Sequence, residues 1–203
     1  QNQQFSIKSQ KIFNEYLEAK NLGIETRPVL VGPITMLAIG KAKGAEFCLL
    51  ELTDNLTNTY LDIISKLAEI GAKDLQIDEP FFVTELDEKA KLAYKTAYEK
   101  ISNHAEKLDI HLHLTSYFAG LGTNAKDFFA VKAASYHIDL VRDPSQFESA
   151  LSLVPENTSL SLGIVNGRNI WINNLKNSLE IIQQAVAKLG SDRAVSYTHL
   201  RAH

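Results

Sequence analysis

The sequence predicts an α/β chain in which about five parallel strands alternate with helices. Three observations carry this. Five short β-type runs stand out: "RPVLVGP" (27–33), "DLQIDEP" (74–80), "DIHLHLTSYF" (109–118), "SYHIDLV" (135–141) and "SLSLGIVNG" (159–167). Helical patterns fill the intervals between them, the signature of βαβ units. Every run ends in polar residues, as expected where parallel strands deliver their C-terminal ends to one functional face.

The elements follow in order. A first helix spans about 7–20. The run 27–33 is bounded by prolines and ends in Gly32-Pro33. Residues 45–70 place Leu49, Leu52, Leu56, Tyr60, Ile63, Ile64, Leu67 and Ile70 close to helical spacing, and Gly71 follows as a stop signal. The run 74–80 leads into Asp78, Glu79 and Pro80, and a proline cannot continue the ladder. Asp87 is the expected N-cap of a helix over 87–107. A short helix over 144–153 begins with Pro144, and a last one over 173–189 ends at Gly190. Several strand runs are apolar over most of their length, which predicts cover on both faces.

Composition narrows the function classes. The chain has 203 residues, is 45% hydrophobic and 22% charged, and has a net charge of −3. No basic footprint suggests nucleic acid. No apolar run reaches the ~20 residues of a membrane span. The polar start "QNQQFSIKSQ" is no signal peptide, and without an initiator Met the start is expected upstream. The single cysteine, Cys48, reads as a small packing residue, and a cytoplasmic setting follows.

The candidate ligand-facing residues sit at the strand ends: Asp78, Glu79, Tyr117, Asp139, Asn166, Arg168 and Asn169. Asp78 and Glu79 are adjacent on a strand, so they point to opposite faces and form no shared-proton dyad. They either face a ligand, cap the next helix, or pair with Arg168 and Lys41. Arg168 in "NGRNIW" either takes an anion through its guanidinium or ties loops together. His111 and His113 share a strand face, as metal ligands or as packed histidines. His137 and Asp139 lie on the neighbouring run. "GPITMLAIGKAKG" lacks the spacing of a phosphate loop.

Together these landmarks resemble one family, the cobalamin-independent methionine synthases. "RPVLVGPITMLAIGKAKG", "LQIDEP", "LTSYFAGLG", "YHIDLVRDP" and "LSLGIVNGRNIW" occur in the family's order over about residues 3–193. The resemblance implies methyl transfer from a 5-methyltetrahydrofolate polyglutamate to homocysteine. It implies two (βα)8 barrels, of which the C-terminal one carries zinc and activates the thiol. This chain matches the later part of the N-terminal barrel, which helps bind the folate. It is therefore expected to be an incomplete (βα)8 TIM-type barrel, because five strands cannot close a circuit of eight. The first strands and the early basic folate-tail residues are expected before Gln1, and the catalytic barrel after His203.

The resemblance also implies that Asp78 holds the place of an amino-acid-binding Asp in the other barrel. The zinc-binding His-x-Cys pair is here His113-Leu114-Thr115, and threonine is a poor zinc ligand. No metal site, no cofactor and no catalytic residue are expected in this stretch, and the fragment alone is expected to be inactive. Residues 1–194 read as the partial barrel. From Val195 the chain departs from the family pattern, and "VSYTHLRAH" resembles translated adapter DNA. Residues 195–203 are thus read as an artefactual tail, with a divergent natural strand as the alternative. His199 and His203 are not recruited as ligands. The competing function is a stand-alone, non-catalytic module that binds an anionic ligand such as a folate polyglutamate, with Lys41, Lys43, Arg142 and Arg168 supplying charge.

Overall fold

The computed structural model describes residues 3–42 and 47–199. Six parallel strands form one sheet in sequential order. They are β1 Val29–Val31, β2 Asp74–Asp78, β3 His111–Thr115, β4 Ser135–Asp139, β5 Ser159–Asn166 and β6 Ala194–His199. The helices are α1 Lys11–Asn21, α2 Pro33–Ile39, α3 Thr53–Glu69, α4 Glu88–Lys107, α5 Ala125–Phe128, α6 Phe147–Leu153 and α7 Leu175–Leu189. Each strand pairs in parallel with the next, as in a (βα)8 barrel. Both end strands pair on one side only, so the sheet is open. On the β1 edge Val29 and Val31 remain half-exposed. A groove of about 770 Å³ runs beside them, walled in part by Phe5, Tyr16, Met36 and Tyr60.

Two features depart from the sequence reading. There are six strands, not about five. The sixth joins Ala194 to the first residues of the stretch 195–203, whose backbone pairs with β5 from Leu160↔Ala194 to Asn166↔His199. The second departure is α2. Its N-terminus is capped by a side chain from another strand, a signal that local sequence does not carry.

The strands are also not apolar on both faces. Leu75, Ile77, Leu112, Leu114, Tyr136, Ile138, Leu160 and Leu162 are all buried in the core. The alternate residues Asp74, Gln76, Asp78, His113, Thr115, Ser135, His137, Asp139 and Ser161 form a polar inner face. Hydrogen bonds lace that face together. His113 bridges Asp74 Oδ1 at 2.7 Å and Ser135 Oγ at 2.6 Å. His137 Nδ1 lies 2.9 Å from Ser161 Oγ. The layer accepts His137, which stands opposite Ser161, because its diagonal neighbour on β5 is Gly163. A Cβ there would stand 2.9 Å from the Ile138 carbonyl oxygen and 3.0 Å from His137 Nε2. His113 therefore reads as a packed, paired histidine. Burial holds its ring below the usual histidine range, although Asp74 pulls the other way.

Helix ends follow ordinary rules where they are local. Asp87 caps α4 by accepting from Ala90 N at 2.8 Å. Asn174 caps α7 by accepting from Asn177 N at 3.2 Å. An aromatic group of Phe82, Tyr94, Tyr98, Phe128 and Tyr136 fills the space around α4, each ring essentially fully buried.

Candidate functional site

The two acids of "IDEP" separate as alternation requires. Glu79 points away from the ligand face and is fully buried. Its carboxylate caps α2, accepting from Ile34 N at 3.1 Å, Thr35 N at 2.7 Å and Thr35 Oγ1 at 2.6 Å. Tyr98 OH donates to it at 2.8 Å. An anion at a helix N-terminus also meets the positive end of the helix dipole. Burial pushes the Glu79 carboxyl up, against the downward pull of the Thr35, Tyr98 and Ile34 donors. The cap needs Gly32, because a Cβ on Gly32 would fall 2.1 Å from Glu79 Cδ. Glu79 is thus no ligand-facing residue. It caps a helix, but the preceding one, and it pairs with neither Arg168 nor Lys41.

Asp78 stays on the inner face at the strand end. Gln76 Nε2 donates to Oδ1 at 2.8 Å and Tyr117 OH donates to Oδ2 at 3.2 Å. Burial raises its pKa from the ordinary carboxylate value, while the two donors lower it. Tyr117 meets Phe118 edge to face, with ring centroids 4.6 Å apart. The Arg168 guanidinium lies over the Phe118 ring at 4.9 Å, a cation–π contact worth about 0.5–1 kcal/mol at an exposed site. Asp139 is buried and holds two turns. Its Oδ2 accepts from Phe118 N at 3.1 Å, and its Oδ1 from Val141 N at 3.1 Å and Arg142 N at 2.9 Å.

Four of the seven candidates therefore meet at the C-terminal ends of β2 to β5: Asp78, Tyr117, Asp139 and Arg168. Asp78, Tyr117 and Arg168 offer a carboxylate, a phenol and a guanidinium around an aromatic ledge, while the buried Asp139 carboxylate braces the backbone. Phe118, which sequence reasoning passed over, is that ledge. Its φ is +89°, rare and strained for an aromatic residue, and the Asp139 carboxylate holds its N–H there. Asn166 and Asn169 do different work. Each accepts a hydrogen bond from the backbone N–H two residues on, at Arg168 (3.0 Å) and Trp171 (3.1 Å). These Asx turns shape the loop after β5. Lys43 lies outside the described residues, as does His203.

Zinc does not fit the residues present. Both ring nitrogens of His113 are engaged, by Asp74 and Ser135, and Thr115 brings no sulfur. Among the described residues no group of three or more His, Cys, Asp or Glu side chains is placed to hold a metal ion. No described helix is long and apolar enough to cross a membrane.

Comparisons with known proteins bear on the whole chain. Residues 1–190 match the family model described as "Cobalamin-independent synthase, N-terminal domain". A 5-methyltetrahydropteroyltriglutamate–homocysteine methyltransferase of Rhodopseudomonas palustris is 42% identical over 191 residues, covering 94% of this chain and 24% of that protein. The Saccharomyces cerevisiae enzyme of the same name is 42% identical over 197 residues, covering 96% of this chain and 25% of its own length. The chain thus spans about a quarter of these relatives. Among solved structures, a B12-independent methionine synthase from Shewanella superposes with a TM-score of 0.76 at 15% identity, covering 98% of this chain and 61% of that one. At that identity the likeness speaks for the fold alone. Ordered motifs, six sequential parallel strands and a family match over nearly the full length agree: this chain belongs to the family of the N-terminal domain of cobalamin-independent synthases.

Proposed function

We propose that this chain is part of the N-terminal barrel of a methyltransferase. That enzyme moves the methyl group of 5-methyltetrahydropteroyltriglutamate to homocysteine, giving methionine. The observation that carries the reading is 42% identity over 94% of the chain to proteins named for this reaction. The chain's own contribution is binding. Arg168, backed by Phe118, offers a charge for folate glutamate carboxylates, and Asp78 with Tyr117 offers polar contacts beside it. Chemistry on the homocysteine thiol belongs to a C-terminal barrel of the same parent chain, where the zinc resides. The lack of a sulfur ligand at Thr115 and the full engagement of His113 support placing zinc outside this stretch. The 203-residue chain alone has no methyl-transfer activity, and its setting is cytoplasmic.

The stand-alone anion-binding module is not favoured, since the matching relatives are about four times longer than the stretch matched. The test is a chimaera in which residues 1–190 replace the matching stretch of the Rhodopseudomonas relative. The chimaera is expected to transfer methyl groups from the folate to homocysteine, and the isolated chain is not. A folded but inactive chimaera, or an active isolated chain, would overturn the reading.

A further inference from the structure

Three strands each bring one polar side chain to the inner face near their N-terminal ends. Asp74 opens β2, Ser135 opens β4, and His113 stands between them on β3. His113 is the direct cross-strand partner of Ser135, and Asp74 pairs with His111, two residues before His113 on the same face. The side chains form a linear array. The Asp74 carboxylate lies 2.7 Å from His113 Nε2, and His113 Nδ1 lies 2.6 Å from Ser135 Oγ. A carboxylate can only accept, so Nε2 carries the ring proton and Nδ1 is left to accept from the serine hydroxyl. Burial keeps the ring below the usual histidine range, which leaves it neutral and able to take a proton near neutral pH. All three residues line one cavity of about 710 Å³, together with Arg27, Gln76 and His111. This cavity lies at the opposite end of the strands from Asp78, Tyr117 and Arg168. A second serine–histidine pair gives a contrast. Ser65 Oγ lies 2.8 Å from His104 Nε2 between α3 and α4. There, no carboxylate among the described residues is within ion-pair distance of His104.

We propose that Asp74, His113 and Ser135 act together as orienting acid, base and nucleophile, and that Ser135 thereby hydrolyses small carboxylic esters. This activity is independent of methyl transfer. Ser135 Oγ attacks the ester carbonyl carbon while its proton passes to His113 Nδ1. The same proton then goes to the departing alkoxide, so the alcohol leaves and the acyl group stays on Ser135. Water attacks that acyl carbon, its proton returns through His113 to Ser135 Oγ, and the carboxylic acid is released. The sum is ester plus water giving acid plus alcohol, with no other reactant. Asp74 is a positioning residue. It holds the imidazole in the tautomer that leaves Nδ1 free and stabilises the imidazolium that forms. Arg27, on the wall of the same cavity, supplies positive charge for the oxyanion that develops on the carbonyl oxygen. A cavity of about 710 Å³ has room for a small organic ester.

The test treats the 203-residue chain with an alkyl fluorophosphonate, which phosphonylates activated serines with loss of fluoride. Mass spectrometry of the digested chain is expected to place the adduct on Ser135. It should form about 100-fold or more faster there than on Ser65, the scale of general-base assistance. Ser135→Ala should abolish this adduct and the release of p-nitrophenol from p-nitrophenyl acetate above that of Ser65→Ala. The mapped adduct comes from the unsubstituted chain, so it decides the matter even if Ser135→Ala folds poorly. Asp74→Asn should lower the maximal labelling rate roughly tenfold or more and leave the half-saturating reagent concentration unchanged, the mark of a group that acts on the reaction step. No adduct on Ser135, equal rates at Ser135 and Ser65, or an Asp74→Asn chain with an unchanged maximal rate would overturn the proposal.

Discussion

Replacing Glu79 should unlock the start of α2. Four donors converge on its buried carboxylate: Ile34 N, Thr35 N, Thr35 Oγ1 and Tyr98 OH. Glu79→Gln keeps the shape but turns one acceptor oxygen into a donor. One of the two backbone N–H groups then faces another donor in a fully buried site. A charge-assisted hydrogen bond contributes about 1.5–3 kcal/mol, and a buried unpaired group costs about 1–3 kcal/mol. A loss of about 2–3 kcal/mol is expected for Gln and about 4 kcal/mol for Ala, which strands all four donors. For a chain of this length that corresponds to a fall in Tm of roughly 5–10 °C for Gln. Urea and thermal unfolding followed by circular dichroism would measure both variants. Gly32→Ala should cost a similar amount, because its Cβ would displace the same carboxylate. The double variant Gly32→Ala, Glu79→Ala should lose less than the sum, since both changes break one contact. A Glu79→Gln variant within about 0.5 kcal/mol of the parent, the range of neutral surface changes, would refute the capping argument.

Three further outcomes are expected. Gly163→Ala should destabilise by about 1–3 kcal/mol, because its methyl meets the Ile138 carbonyl and the His137 ring inside the polar layer; chemical denaturation checks it, and an unchanged midpoint would show that the layer gives way. Phe118→Gly should be more stable than Phe118→Ala by about 1 kcal/mol, since both lose the ring but only glycine relaxes at φ +89°; the reverse order in thermal melts would show that the conformation is unstrained. Asp78 sets a pH dependence whose sign follows from its raised folded pKa. Between the unfolded value and the raised folded value the native state holds more protons than the unfolded one, so the Asp78 contribution falls as pH rises through that window and is largest below it. Asp78→Asn should remove this slope when unfolding is followed across the acid range, and an unaltered slope would place the titration on another group.

The strand order and the face that carries chemistry could be read from the sequence because both rest on local signals. Alternating residues, a proline after Glu79 and polar strand ends repeat along the chain, and each is visible within a few residues. Asp87 as the cap of α4 was legible for the same reason. The cap of α2 was not. Its carboxylate comes from a residue 44 positions away in the chain, beyond α3 and β2. The same holds for Phe118, which is met by Asp139 at the end of β4 and by Arg168 in the loop after β5. The loop "NGRNIWINN" suggested a turn, but the exposure of its three large apolar side chains, Ile170, Trp171 and Ile172, is seen only in the folded chain.

By itself the sequence determined a chain of parallel strands, the polar character of their C-terminal ends, the separation of Asp78 from Glu79 onto opposite faces, and the family resemblance. These are properties of spacing and residue type. Only the tertiary structure decided which acid went to the site and which to a helix cap. It also decided that the inner face is a hydrogen-bonded polar layer, and that the last described residues pair as a sixth strand. Those outcomes depend on contacts between residues far apart in the chain, and such contacts exist only once the backbone has closed the distance.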